Sequence, residues 1–320
     1  MAQIDIADAA MAGLKLTVRR PLTVLVWGAL VVVYFIVLFA IFGGGLASTI
    51  ASLASTPGAS PAPQTILALV GSLLGFFFLL FLGVMVLGAV IMAAALRAEL
   101  EPGSPGLAYL RFGAEELWLI AVNFVLWVVL LVAQMVMAIP LAILTFGMVI
   151  ANFSPHPGFV PGPFVGTVAG AVGMRLIGQF LILGVTIWLW TRLSMGPVMS
   201  FRERQFRLFE SWTLTKGHAW PIFLTMVLIF VMVIALEIVV YGLGAIAVLA
   251  LVAPIPGIGH PQTFFSRPPG EWVALFAPAA AVVAILFVII IGVANAMTWT
   301  AVGRIYRQLV PQGDAVPTLV

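Results

Sequence analysis

Six apolar stretches, at residues 22–43, 64–96, 117–150, 164–195, 219–253 and 272–303, take up most of this 320-residue chain. Each is long enough to cross a bilayer, for which about 20 apolar residues suffice. In hydrocarbon every backbone N–H and C=O must be satisfied inside the protein, so such runs fold as helices packed side by side. The pattern predicts an all-α polytopic membrane helix bundle, with six transmembrane helices in one integral membrane domain over 1–320. Composition agrees, with charged residues at 8% and hydrophobic ones at 63%, against roughly 25% and 45–50% in soluble domains.

The charges orient the bundle. Of 14 Lys and Arg, all but two flank one set of span ends, from Lys15 to Arg307; Arg267 lies in an opposite loop and Arg175 inside a span. Positive loops stay inside, which predicts cytoplasmic termini and loops 98–116 and 196–218. An Arg-dominated, Ala/Gly/Val/Pro-rich chain points to a bacterial inner membrane. The basic side suits an anionic lipid surface. No basic stripe interleaves with exposed aromatics, so nucleic acid is not an expected partner; the sequence names no protein partner. There is no cysteine, which excludes disulfides and thiolate metal sites.

A cleavable signal peptide is not expected, since the leader ends in Arg19-Arg20 and the apolar run after it is too long. Residues 4–19 instead predict an interfacial amphipathic helix, with Ile4, Ala7, Met11, Leu14 and Val18 on one face. Residues 201–214 give a second interfacial pattern, and Ser104-Pro105 a helix start. Loops 44–63, 151–163 and 254–271 are rich in Pro, Gly and Ser and nearly uncharged; Phe153, Phe159, Phe264 and Phe265 there are expected to rest on the outer interface.

The stretches LKLTVRRPLTVLVW, LAYLRFGAEELWLI and SWTLTKGHAWPIFL precede the first, third and fifth spans, with Pro21, Leu117 and Pro221 in equivalent places. This spacing of about 100 residues predicts three tandem helical hairpins. Within these segments, RLSMGPVMSFRERQFRLFESWTLTKGHAWPIF (192–223) and LRFGAEELWLI (110–120) resemble a group of uncharacterised alphaproteobacterial membrane proteins. Those in turn resemble the membrane domain attached to some glycerophosphoryl diester phosphodiesterases. The resemblance covers about 45 residues and implies the membrane part only, because this chain has no soluble domain with clustered His and acidic metal ligands.

Ionisable groups inside spans are costly and therefore the first candidates for a site. Arg175 lies 17 positions before Arg192, and Glu237 lies 17 after Trp220. At 1.5 Å per residue both are expected about 25 Å from those ends, near the middle of the slab. Gln134, 17 positions beyond Leu117, is expected at a similar height. Gln179 lies one turn from Arg175, and Tyr241 one turn from Glu237. The reading is an Arg175–Glu237 pair with Gln134, Gln179 and Tyr241 around it, either a structural staple or a polar site for a lipid headgroup, anion or proton. Asn123 and Asn295 form a secondary polar pair, read as interhelical glue. Gly71-x-x-x-Gly75 and Gly166-x-x-x-Gly170 permit close helix approach.

No metal or cofactor is expected. His156 and His260 lack a third ligand, and no HExxH, GxSxG or Walker loop is present. The acids Glu99, Glu101, Glu115, Glu116, Glu203 and Glu210 read as solvated or interfacial ion pairs with Arg. The function expected is non-catalytic organisation of lipids or partner proteins. The alternatives are a small-solute or lipid transporter, which needs helices broken near the polar cluster, and a lipid-modifying enzyme. Pro140, Pro197 and Pro278 are the kink points on offer.

Overall fold

A computed structural model of the chain describes residues 4–54, 62–103, 106–151, 161–255 and 269–310. The described residues are all-helical. α1 (Ile6–Arg19) precedes α2 (Pro21–Ala54) and α3 (Pro63–Leu100). A 3₁₀ turn (Leu107–Tyr109) leads to α4 (Ala114–Ala151) and α5 (Pro161–Leu193). Short α6 (Gly196–Glu203) and α7 (Ser211–Leu214) then lead to α8 (Ala219–Val252) and α9 (Pro269–Leu309). Six of these helices are long and apolar enough to cross a membrane. His156, His260, Ser104-Pro105 and the four loop phenylalanines lie outside the described residues. α2 runs through Ala54, so the first uncharged loop begins later than its Gly-rich composition suggested: Gly43, Gly44 and Gly45 stay helical. Pro140 and Pro278 lie inside α4 and α9 without ending them, and Pro197 sits in the first turn of α6.

The three stubs before the first, third and fifth spans share a plan. Each is a short helical piece (the end of α1, the 3₁₀ turn, or α7), then a break, then a long helix. The break after α1 falls at Arg20, whose φ of −138° and ψ of 63° are non-helical, as the clash of a following proline with helical backbone requires.

The chain gathers into two compact units, Met1–Leu117 with Pro221–Val320, and Trp118–Trp220. In the first, α9 packs on α1, α2 and α3. The approach of α2 to α9 is set by glycine: a Cβ on Gly28 would overlap the Val288 carbonyl oxygen, and one on Gly292 that of Val24. Small residues of this kind let backbones touch where lipid tails offer no hydrophobic drive to associate. Gly71, Gly166 and Gly170 face open space instead, while Gly75 lies against the Phe42 ring of α2, so of the small-residue spacings singled out in the sequence only Gly75 sits at a close contact between described helices.

α1 corrects its sequence reading in one respect. Its packed face is Ala9, Ala10, Ala12 and Gly13, and Gly13 lies on the Met297 backbone. Of the predicted apolar face only Ile4 is buried; Ala7, Met11 and Val18 are exposed. The small face docks on α9 because it allows close approach, which leaves the larger apolar face for the bilayer interface.

In the second unit, Val122 and Leu126 of α4 cluster with Leu193 and Leu208. Residues 201–214 do not form one interfacial helix. α6 ends at Arg204, in left-handed backbone at φ 54°, and Leu208 turns inward onto Gly196, leaving Phe209 and Trp212 exposed.

In each unit burial concentrates at the basic ends of the spans. Ala89 to Leu100 in α3, Ile290 to Tyr306 in α9 and Leu193 to Phe201 around α6 supply most of the buried residues. Toward the opposite ends, side chains such as Phe39, Phe78, Phe146 and Ile246 are largely exposed, as lipid-facing residues must be.

Candidate functional site

The most deeply buried charges lie at the basic end of the first unit. Arg97, in the last turn of α3, is 1% exposed, and Glu116, in the first turn of α4, is 0% exposed. Arg97 Nη2 donates to Glu116 Oε1 and, at 2.7 Å, to Glu115 Oε2. Its Nη1 donates to the Tyr109 carbonyl at 3.1 Å. Glu116 Oε2 accepts from the Gly113 N–H at 2.7 Å. Glu116 is the third residue of α4, so this is the reach-back half of a capping box. Of the acids read as solvated or interfacial ion pairs with Arg, Glu116 is paired with Arg97 and sealed from solvent.

What seals them is a plug made by the 3₁₀ turn. Ala108 and Tyr109 both adopt positive φ, at 52° and 60°, an uncommon backbone for residues with a Cβ. The turn carries Tyr109 inward to 4% exposure. The Tyr109 hydroxyl accepts from Arg20 Nη1 and donates to the Pro102 carbonyl at 3.2 Å. Trp27, fully buried on α2, donates its indole N–H to the Ala108 carbonyl at 2.9 Å. Holding two adjacent residues in left-handed backbone costs on the order of 1–3 kcal/mol each, and these bonds keep them there.

A second network joins α1, α3 and α9. Glu99 Oε1 lies 3.0 Å from Arg304 Nε and 3.2 Å from Arg307 Nη1, and Asp8 lies 2.7 Å from Lys15 Nζ and 3.6 Å from Arg304 Nε. The Lys15 hydrogen bond holds the Asp8 carboxyl below the usual carboxylate range, with Arg304 and Arg307 adding to the effect and partial desolvation opposing it.

In the second unit the FESWTLTKG segment folds onto the end of α5. Ser211 Oγ donates to the Arg192 carbonyl at 2.8 Å and accepts from the Met195 N–H at 3.1 Å. The Arg192 guanidinium lies 5.5 Å from the Trp212 ring centroid and donates to the Thr215 carbonyl at 3.1 Å. Trp188 and Trp212 meet edge to face at 5.0 Å. Ser211, Trp212 and Thr215 of this segment thus bind the end of α5 locally.

The polar residues singled out inside the spans are arranged differently. Arg175, Gln179 and Gln134 are exposed, Tyr241 is 47% exposed, and Glu237 is half-buried. Arg175 and Gln179 share one side of α5, as Glu237 and Tyr241 share one side of α8, and α5 and α8 run unbroken through them. Gln134 departs from expectation. Leu141 lies over Gly178, and Leu126 clusters with Leu193. That antiparallel register sets Gln134 level with Val185, about 15 Å along the helix axis from Arg175. The cause is that α4 begins well below the level of Arg192, so heights counted from Leu117 and from Arg192 have different origins.

Depth needs the same correction. About 25 Å is half the length of a helix such as α5, but most of the way across a core about 30 Å thick. Counted from Arg192 and from Trp220, Arg175 and Glu237 would therefore each be past the midpoint of a core that began at those residues. Asn295 is satisfied within α9, donating to the Ile291 carbonyl at 2.8 Å and accepting from Trp299 Nε1 at 3.2 Å. Asn123 is half-buried on α4. Among the described residues no group of three His, Cys, Asp or Glu side chains could hold a metal ion.

The class these features define is a multi-pass, all-helical membrane protein whose charged clasps lie at one set of helix ends. Comparison with protein-family models, curated proteins and solved structures finds no match.

Proposed function

We propose that this chain is a non-catalytic integral membrane protein that organises lipids or partner proteins, with its basic ends facing the cytoplasm of a bacterial inner membrane. The observation that carries this reading is the contrast along the spans: charge-clasped, buried basic ends and exposed apolar side chains beyond them. Such a protein holds its helices at one face and offers lipid contact over the rest of their length. The exposed Met11 and Val18 of α1, beside Lys15 and Arg19, add an amphipathic surface suited to anionic headgroups. A transporter would be supported by helices interrupted beside the intramembrane polar groups, and α5 and α8 are continuous there. Kinship with the membrane domain of glycerophosphoryl diester phosphodiesterases is part of the same proposal and extends to the membrane part only.

The test is to extract the protein with its surrounding lipids in polymer discs and compare their composition with the bulk membrane. Enrichment of anionic phospholipid supports the lipid-organising reading, and bulk composition contradicts that part of it. Sidedness follows from labelling Arg202→Cys in a chain that otherwise lacks cysteine; reaction in sealed, right-side-out vesicles with an impermeant reagent would contradict a cytoplasmic basic face.

A further inference from the structure

We propose that Arg175 and the cleft between α4 and α5 form a phospholipid site in the leaflet away from the basic ends, the guanidinium taking the phosphate and the cleft an acyl chain. The cleft has a volume of about 540 Å³ and is lined by Ala142, Ile143, Phe146 and Val149 of α4 with Val168 and Val172 of α5, besides Arg175. Ile143, Phe146 and Val172 are each more than half exposed, so the cleft opens sideways, where acyl chains are. Its other polar side chain is Thr145, whose hydroxyl is turned back to the Leu141 and Ala142 carbonyls at 2.9 and 3.0 Å. Among the described residues lining the cleft, Arg175 is the one group left to bind a polar ligand.

The charge balance calls for an anion. Arginine does not deprotonate in proteins. In residues 118–220 the only carboxylates are Glu203 and Glu210, and both are bound to Arg207 at the basic end of the unit. The unit that carries Arg175 therefore supplies no counter-charge near it. About 25 Å from Arg192, the Arg175 side chain is within snorkelling reach of the far headgroup layer. A phospholipid meets both requirements at once: phosphate accepts from the guanidinium fork, and its chain covers the apolar walls. A small free anion would leave those walls bare, and a neutral glyceride would leave the guanidinium without an anion.

The proposal deepens the lipid-organising reading and rests on it. The test uses the full chain, purified in detergent and stripped of lipid, titrated with phosphatidylglycerol and followed by native mass spectrometry and thermal shift. Wild type and Arg202→Gln should bind and be stabilised alike. Arg175→Gln, and Ala142→Trp, which fills the cleft, should each bind about tenfold more weakly, with Arg175→Lys in between. Glycerol phosphate alone should give no shift. Equal binding by wild type, Arg175→Gln and Ala142→Trp overturns the site while leaving the broader reading intact. No binding by wild type removes the broader reading and the site with it. A stabilising shift from glycerol phosphate overturns the acyl-chain part. If Arg175→Gln and Glu237→Gln destabilise the lipid-free protein equally and non-additively, Arg175 is paired with Glu237 and the lipid assignment is wrong.

Discussion

Arg97 and Arg175 are the same residue type in the same chain, and their surroundings are opposites. Arg97 stands at a helix end where water should be plentiful, yet it is buried and bonded to two carboxylates and a carbonyl. Arg175 stands inside a span, yet it is exposed in an apolar cleft. Position in the sequence relative to a hydropathy plot therefore does not decide whether a charge is structural. What decides it is whether neighbouring segments bring hydrogen-bond partners and exclude solvent. The 3₁₀ turn does both for Arg97; among the described residues nothing in its own unit does so for Arg175.

The contrast can be broken most forcefully at Arg97. Arg97→Ala leaves Glu116 buried without its cation and should cost about 3–5 kcal/mol in a detergent unfolding titration. Arg97→Met with Glu116→Leu should recover much of that, since removing both charges also removes their desolvation penalty. A double variant as unstable as the single would place the energy elsewhere.

The glycine contacts give the next largest effect. Gly292→Val forces a side chain into the Val24 backbone and should destabilise by roughly 1–3 kcal/mol. Gly170→Ala, facing open space, should be neutral or slightly stabilising, by at most about 1 kcal/mol. Equal losses at both positions would contradict the packing described. A smaller change is expected from Trp27→Phe, which removes the indole donor to Ala108 and should cost about 1 kcal/mol.

The smallest effect concerns pH. The Asp8 carboxyl is held below its ordinary range when folded. Its contribution is therefore present above the unfolded-state value and is lost as the pH falls through the folded one. Acidification into that low range should loosen α1 before the spans unfold, read as faster amide exchange in residues 6–19, and Asp8→Asn should remove the pH dependence. Unchanged exchange in the wild type would contradict the role given to this clasp.

The six spans were legible because hydropathy over a 20-residue window is a property of the sequence alone. α1 was legible as a helix but not in its packing face, because Ala9, Ala10 and Gly13 score as weakly apolar while being the residues that permit the closest approach to α9. The Arg97 clasp was hidden by its position beside a loop, and its seal depends on left-handed backbone at Ala108 and Tyr109, residue types that do not announce such a turn. The spacing of Gly113 and Glu116 ahead of an apolar run was the signal that could have exposed it. The level of Gln134 relative to Arg175 was not legible, because helices longer than the bilayer core have no unique origin from which to count.

The central claim is that charges at the basic ends hold this fold and charges within the spans do not. It is tested most directly by measuring Arg97→Gln, Arg175→Gln, Glu237→Gln and the Arg175→Gln, Glu237→Gln double variant side by side in one lipid-free detergent. The account predicts a loss of several kcal/mol for the first and within about 0.5 kcal/mol of wild type for the others. A large loss for either span variant, recovered in the double, with Arg97→Gln near wild type, would contradict it.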